Sequence, residues 1–231
     1  TRNVLSNQIS ILSQQVSVLS QTVSVAAQLW RVQGLSGLVS GTSTMNLAAE
    51  GGIFYNPSTG RTTRVVSIAA VTNNVGLSAG VDNGRDQAAV FTSAVWVHFY
   101  LVLDGATVKS RSSLTTPPTG PTLQGTESAW AYCGPAFRDT SNALIAQRFR
   151  GCWVVYEAFQ SLLSGGTATV ETAINAATRV PPSALLVAYY GVIAENTVTV
   201  AGLDTLTLRY ISGVDYFNVY STGYAVSQQQ N

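Results

Sequence analysis

Residues 91–103 read FTSAVWVHFYLVL, and Asp104-Gly105 follows directly. Thirteen residues rich in Val and aromatics, with neither Gly nor Pro, predict a long β-strand. Asp-Gly is a dipeptide that supports the positive φ values of a type I′ turn, so residues 104–105 predict a hairpin into a second strand over 106–111. The same pattern extends outward on both sides. Residues 65–71 (VVSIAAV) are strand-like and Asn83-Gly84 marks a tight turn. Pro117-Pro118-Thr119-Gly120-Pro121 interrupts the chain, and residues 130–138 and 143–157 read as a hairpin around Asp139-Thr140-Ser141-Asn142. Further short runs cover 167–173, 185–194, 197–200, 205–211 and 216–226. Short strands with frequent turns predict an antiparallel β-sandwich or barrel. Two β modules are expected, residues 50–157 and 158–231, which pack as one knob or as two.

The N-terminal thirty residues follow another rule. The heptads NQISILS (7–13), QQVSVLS (14–20) and QTVSVAA (21–27) repeat without a slip. Ile9, Val16, Val23 and Trp30 fall at a, and Leu5, Leu12, Leu19 and Ala26 fall at d, the apolar seam of a left-handed coiled coil. A strand of that length would be far outside the usual range. The expected fold class is therefore mainly β, with an N-terminal α-helical coiled-coil stalk over residues 1–33 followed by β modules. No residue between Arg2 and Arg31 is charged, so ion pairs flanking the seam cannot select its partner. β-branched residues at a with Leu at d favour a dimer. The neutral flanks and a second stripe of Val4, Ile11, Val18 and Val25 favour a trimer. The Gly/Ser-rich residues 34–49 read as a neck.

Composition narrows the function. Of 231 residues, 10% are charged and the net charge is +1. Phosphate backbones are bound through a dense basic field that displaces counterions, which this chain lacks, so no nucleic-acid partner is expected. No run of about 18 apolar residues is present, so no membrane-inserted helix is expected either. The polar surface rests instead on hydroxyls, with 24 Ser and 25 Thr.

Residues suited to chemistry are few. His98 is the single histidine, so a metal site lacks nitrogen ligands, and its place within a strand suggests a packed side chain. Cys133 and Cys152 lie on opposite arms of the predicted 139–142 hairpin. An ideal register sets Cys133 against Arg148 and Cys152 against Ala129, so a disulfide would need a bulge near Gly134-Pro135; both a bridge and two free thiols remain open. No pair among the carboxylates is marked for glycoside hydrolysis, although Glu157 and Glu171 are the least turn-like. No nucleophile elbow, phosphate loop or dinucleotide fingerprint occurs. No catalytic, metal or cofactor-binding residue is therefore assigned. Arg148 and Arg150 flank Phe149 and share one face of a strand, where they suit an anionic ligand or a subunit contact. Tyr189, Tyr216 and Tyr220 in the aromatic C-terminal third are the other candidates for ligand or subunit contact.

Several phrases have a familiar cast. WVHFYLV (96–102), TPPTGPTL (116–123), WAY (130–132), RGCWVVY (150–156), GGTATVET (165–172) and VPPSA (180–184) together resemble modules of tailed-bacteriophage fibre and tail-associated proteins. The resemblance covers roughly residues 90–190 and carries no catalytic signature. It implies a homotrimer, with a stalk preceding a β-rich knob. It also implies a non-enzymatic structural or adhesive role on the virion, with no cofactor. Expected partners are other copies of the chain, virion proteins at the N-terminal end, and a host-surface glycan or protein. The alternative is a head, neck or baseplate fibre that only decorates the particle. A polysaccharide depolymerase acting through Glu157 or Glu171 is a third and weaker reading.

Overall fold

A computed structural model describes residues 32–151, 153–166, 172–181, 184–192, 198–201, 207–210 and 217–226. Fourteen strands run along them: β1 (Val32–Gln33), β2 (Ser36–Val39), β3 (Thr44–Asn56), β4 (Arg61–Asn74), β5 (Val95–Asp104), β6 (Thr107–Ser113) and β7 (Glu127–Arg138). Then come β8 (Gln147–Arg150), β9 (Trp153–Gly166), β10 (Thr172–Asn175), β11 (Ala184–Val192), β12 (Val198–Ala201), β13 (Thr207–Tyr210) and β14 (Phe217–Val226). Eleven belong to one antiparallel sheet, and β10, β13 and β12 form a separate antiparallel sheet of three. The expected helical-stalk-plus-β class is corrected to a mainly β, antiparallel fold, because no helix occurs among the described residues. The heptad stretch, with its seam of Leu5, Ile9, Leu12, Val16, Leu19, Val23, Ala26 and Trp30, lies outside them.

β3 is the branch point of the large sheet. One of its edges pairs with β4 from Thr44↔Asn74 to Asn56↔Arg61. Its other edge pairs in succession with β2, β1 and, at Tyr55↔Trp130, β7. Two wings leave from that edge. One continues from β2 through β8, β9 and β14 to β11; the other runs from β7 through β5 to β6. The Gly/Ser-rich residues 34–49 thus supply β2 and the start of β3, at the centre of the sheet.

Of the run 91–103, residues 95–103 lie in β5 and residues 91–94 in no strand, and both faces of β5 are covered. Val97, Phe99, Leu101 and Leu103 enter the main core with Ala129, Ala131 and Cys133 of β7. Tyr100 and Val102 point the other way, into a cluster with Trp130 and Tyr132. Burial on both sides explains why the sequence there is almost continuously apolar. Residues 114–126 close over the second cluster. Gly120 takes φ 73°, and a Cβ at that position would stand 2.3 Å from Trp130 Cε2, so only glycine fits. Tyr100 donates its hydroxyl proton to the Thr115 carbonyl at 2.6 Å.

Two turns differ from expectation. Asp104 pairs with Thr107, so the β5–β6 loop is Gly105-Ala106. Positive φ at Gly105 (59°) but not at Ala106 is the II′ pattern rather than I′. The hairpin at 139–142 is short: Arg138 bridges Leu144 and the arms then part. Leu144 N donates to Thr42 O at 2.8 Å, which draws the following residues to β2, while β7 pairs along its length with β5. The bulge near Gly134 does exist, but it faces β5, between Phe99↔Gly134 and Tyr100↔Tyr132.

Candidate functional site

The described groups with the greatest chemical potential are built into the frame. His98 is buried on β5, and its Nδ1 lies 2.8 Å from the Tyr132 hydroxyl. Desolvation lowers the imidazole pKa to about 4, because burial penalises the charged form. Cys133 is a buried free thiol whose pKa burial raises to about 12, far from that of a reactive thiolate. Cys152 lies outside the described residues. Arg111 on β6 and Glu127 on β7 form a buried ion pair, 2.6 Å from Nη2 to Oε1, with side chains 2% and 1% exposed. Arg111 Nε adds a 2.8 Å bond to the same oxygen, and Gln124 N donates to Glu127 Oε2 at 2.8 Å. Two further buried arginines hold loops through carbonyls: Arg85 donates to Val75 O and Ala88 O, and Arg138 to Asn142 O and Phe91 O. Among the described residues no group of three or more His, Cys, Asp or Glu is placed to hold a metal ion.

The exposed chemistry gathers on the β8–β9 hairpin. β8 alternates strictly: Gln147 and Phe149 are buried, Arg148 and Arg150 exposed. The inward pair anchors the strand. Gln147 Nε2 donates to Pro135 O at 2.9 Å. Phe149 lies over Gly37 of β2, where a Cβ would come within 2.9 Å of the ring. The two arginines therefore face outward together, as the sequence predicts from the two-residue strand period. Register sets Arg148 opposite Val155 and Arg150 opposite Trp153. Trp153 and Val155 are each 43% exposed. Arg148 Nε donates to Glu157 Oε1 in an exposed ion pair. Arg150 has no acidic partner among the described residues.

The face continues across neighbouring strands. Ser36 of β2 pairs with Arg150 on one side and Ala48 on the other; Leu38 pairs with Arg148 and Asn46. With Gly37, Leu47, Phe149 and Ala70 of β4, these residues line a shallow, largely apolar groove of about 290 Å³ that ends at the two arginines. Thr72 donates to Asn46 Oδ1 at 2.7 Å, which leaves the Asn46 amide NH2 as a donor without a partner among the described residues. A guanidinium with no acidic partner among the described residues, an exposed indole and short hydroxyl and amide groups thus share one open sheet face.

The tyrosine candidates lie elsewhere in the sheet. Tyr220 of β14 pairs with Ser161 of β9 and with Tyr190 of β11, and Tyr189 pairs with Ser221. Ser161 lies six residues along β9 from Val155, roughly 20 Å at the usual strand rise. The structure therefore does not bring Tyr189 and Tyr220 to the arginines, and Tyr216 lies outside the described residues. Of the two carboxylates considered for hydrolysis, Glu157 is engaged by Arg148 and Glu171 lies outside the described residues. Trp153 and the β2–β3 floor were not legible as site residues. Nothing local to Ser36 or Asn46 says that β2 runs between β3 and β8.

Comparison of the chain with protein families, with curated proteins and with solved structures finds no match.

Proposed function

We propose that this chain is a non-enzymatic structural and adhesive subunit, a homotrimeric bacteriophage fibre protein that contacts a host surface. One observation carries the reading. The described histidine, cysteine and buried acid–base groups are spent inside the frame, whereas the outward-facing β8–β9 surface presents Arg150 and Trp153 on anchored strands. Such a surface suits recognition by contact and offers no activated nucleophile or poised acid–base pair. The low charge and the sequence resemblance supply the virion setting.

Self-association draws support from β4. Among the described residues its outer edge pairs with no strand, although at its end Asn74 N donates to Asn83 O at 2.8 Å, and Val66 on it is 69% exposed. Long free edges are sites for strand addition. The same edge fits a strand of another virion protein, which favours the second reading of a head, neck or baseplate fibre.

Light scattering on the intact chain tests the assembly, and a monomer at micromolar concentration sinks the trimer. Adhesion is tested by binding of the purified protein to whole bacteria and to their extracted envelope polysaccharide. No binding, together with failed assembly of particles lacking the protein, leaves the purely structural role.

A further inference from the structure

We propose that the open face of β2, β8 and β9 is a binding site for a carboxylated saccharide. Arg150 would receive the carboxylate and Trp153 would carry the sugar ring. The inference deepens the adhesive reading and rests on it.

Charge is the first argument. Arg148 is neutralised by Glu157, whereas Arg150, on an exposed strand position, has no acidic partner among the described residues. The planar fork of arginine matches the two oxygens of a carboxylate. A single unpaired cation suits one carboxylate per contact, and is too little for a polyphosphate backbone, whose affinity comes from many neutralised charges. Geometry is the second argument. Arg150 and Trp153 are directly opposed across the hairpin, and opposed residues in an antiparallel pair hold their Cβ atoms about 5 Å apart. A pyranose ring laid on the indole therefore places a ring carboxylate within reach of the guanidinium. The flat apolar face of the sugar meets the π surface, and its edge keeps hydroxyls free to bond. The groove is the third argument. Beside Arg150, on the side away from Trp153, a shallow and largely apolar groove of about 290 Å³ opens, and Ser36 and the Asn46 amide on its wall are the short polar groups available to hydroxyls that extend from the ring.

Calorimetry on the intact chain tests this, using oligogalacturonate, its methyl ester and neutral dextran as probes, with indole fluorescence as a second readout. The expected result is binding of the free acid, with the ester and dextran weaker by about tenfold or more, as loss of a charge-assisted contact implies. Arg150→Gln and Trp153→Ala should each reduce acid binding by a similar factor, and Arg148→Ala by less. Circular dichroism and thermal unfolding check that each variant folds. Repeating the series with an oligosialic acid extends the test to a second carboxylate geometry. Equal binding of the ester and the acid overturns the role of Arg150. Unchanged binding in both variants overturns the site. If neither acid binds while the same protein still adheres to bacterial cells, the saccharide inference fails and the adhesive reading stands. If it also fails to adhere to cells, both fall.

Discussion

The two wings that leave β3 handle the same strand chemistry in opposite ways. In the β7–β5–β6 wing both faces are covered, one by the main core and the other by the Tyr100–Trp130–Tyr132 cluster under residues 114–126. In the β2–β8–β9 wing the inner face is packed by Phe149, Val154 and Tyr156, while Arg148, Arg150, Trp153 and Val155 face outward. Both wings carry tryptophan, and Trp130 of β7 and Trp153 of β9 make the contrast. Trp130 is fully buried against Tyr55 and Tyr100, and Trp153 is 43% exposed. The lesson is that a side chain's identity does not set its role; the number of covered sheet faces does. The closed wing provides stability, and the open wing provides surface.

The largest expected effect contrasts those two tryptophans. Trp130→Ala should destabilise the protein by about 3–5 kcal/mol through loss of buried area and cavity formation, whereas Trp153→Ala should cost below about 1.5 kcal/mol. Urea unfolding of both variants measures the difference, and equal losses would erase the distinction between the wings. Next comes the buried ion pair. Glu127→Gln leaves the Arg111 guanidinium without its countercharge in a dry site, at a cost of about 3–5 kcal/mol. The double replacement Arg111→Met, Glu127→Leu should recover much of that loss, and a double-mutant cycle reads the coupling.

Acid provides a third test of the closed wing. The folded-state pKa of His98 is about 4, against an ordinary 6.5, so as pH falls the unfolded chain takes up the proton first. This contribution to stability is complete above about pH 6.5 and is lost between pH 6.5 and 4, up to about 3 kcal/mol. Unfolding free energies at several pH values measure the slope, and His98→Gln should flatten it. The smallest effect belongs to the open wing. Arg148→Ala breaks an exposed ion pair and should cost below about 1 kcal/mol, with even that fading in high salt. A larger loss would show that this surface also supports the frame.

Much of the β layout could be read directly. Expected runs at 185–194, 197–200, 205–211 and 216–226 correspond to β11, β12, β13 and β14 within a few residues, because alternation and turn residues are local signals. The shared outward face of Arg148 and Arg150 was legible for the same reason. Residues 34–49 carry β2 and the start of β3, although Gly and Ser usually mark linkers. Here Gly37 is needed so that Phe149 can pack across β2, and that requirement exists only once β8 arrives from more than a hundred residues away. The partnership of Arg111 and Glu127 was equally invisible, since it depends on β6 and β7 flanking β5 and on residues 114–126 folding back.

By itself, then, the sequence determined much of where the described chain extends beyond residue 60, where many of its turns fall and which residues of a strand share a face. These follow from the two-residue side-chain period and from backbone preferences that act within a few residues. Only the tertiary structure decided that β7 joins β5 rather than β8, that β3 feeds two wings, and that the opposed Arg150 and Trp153 lie beside the β2 and β3 face. Every strand offers the same backbone donors and acceptors along its edges, so partner choice rests on which apolar faces can be buried together across long sequence separations.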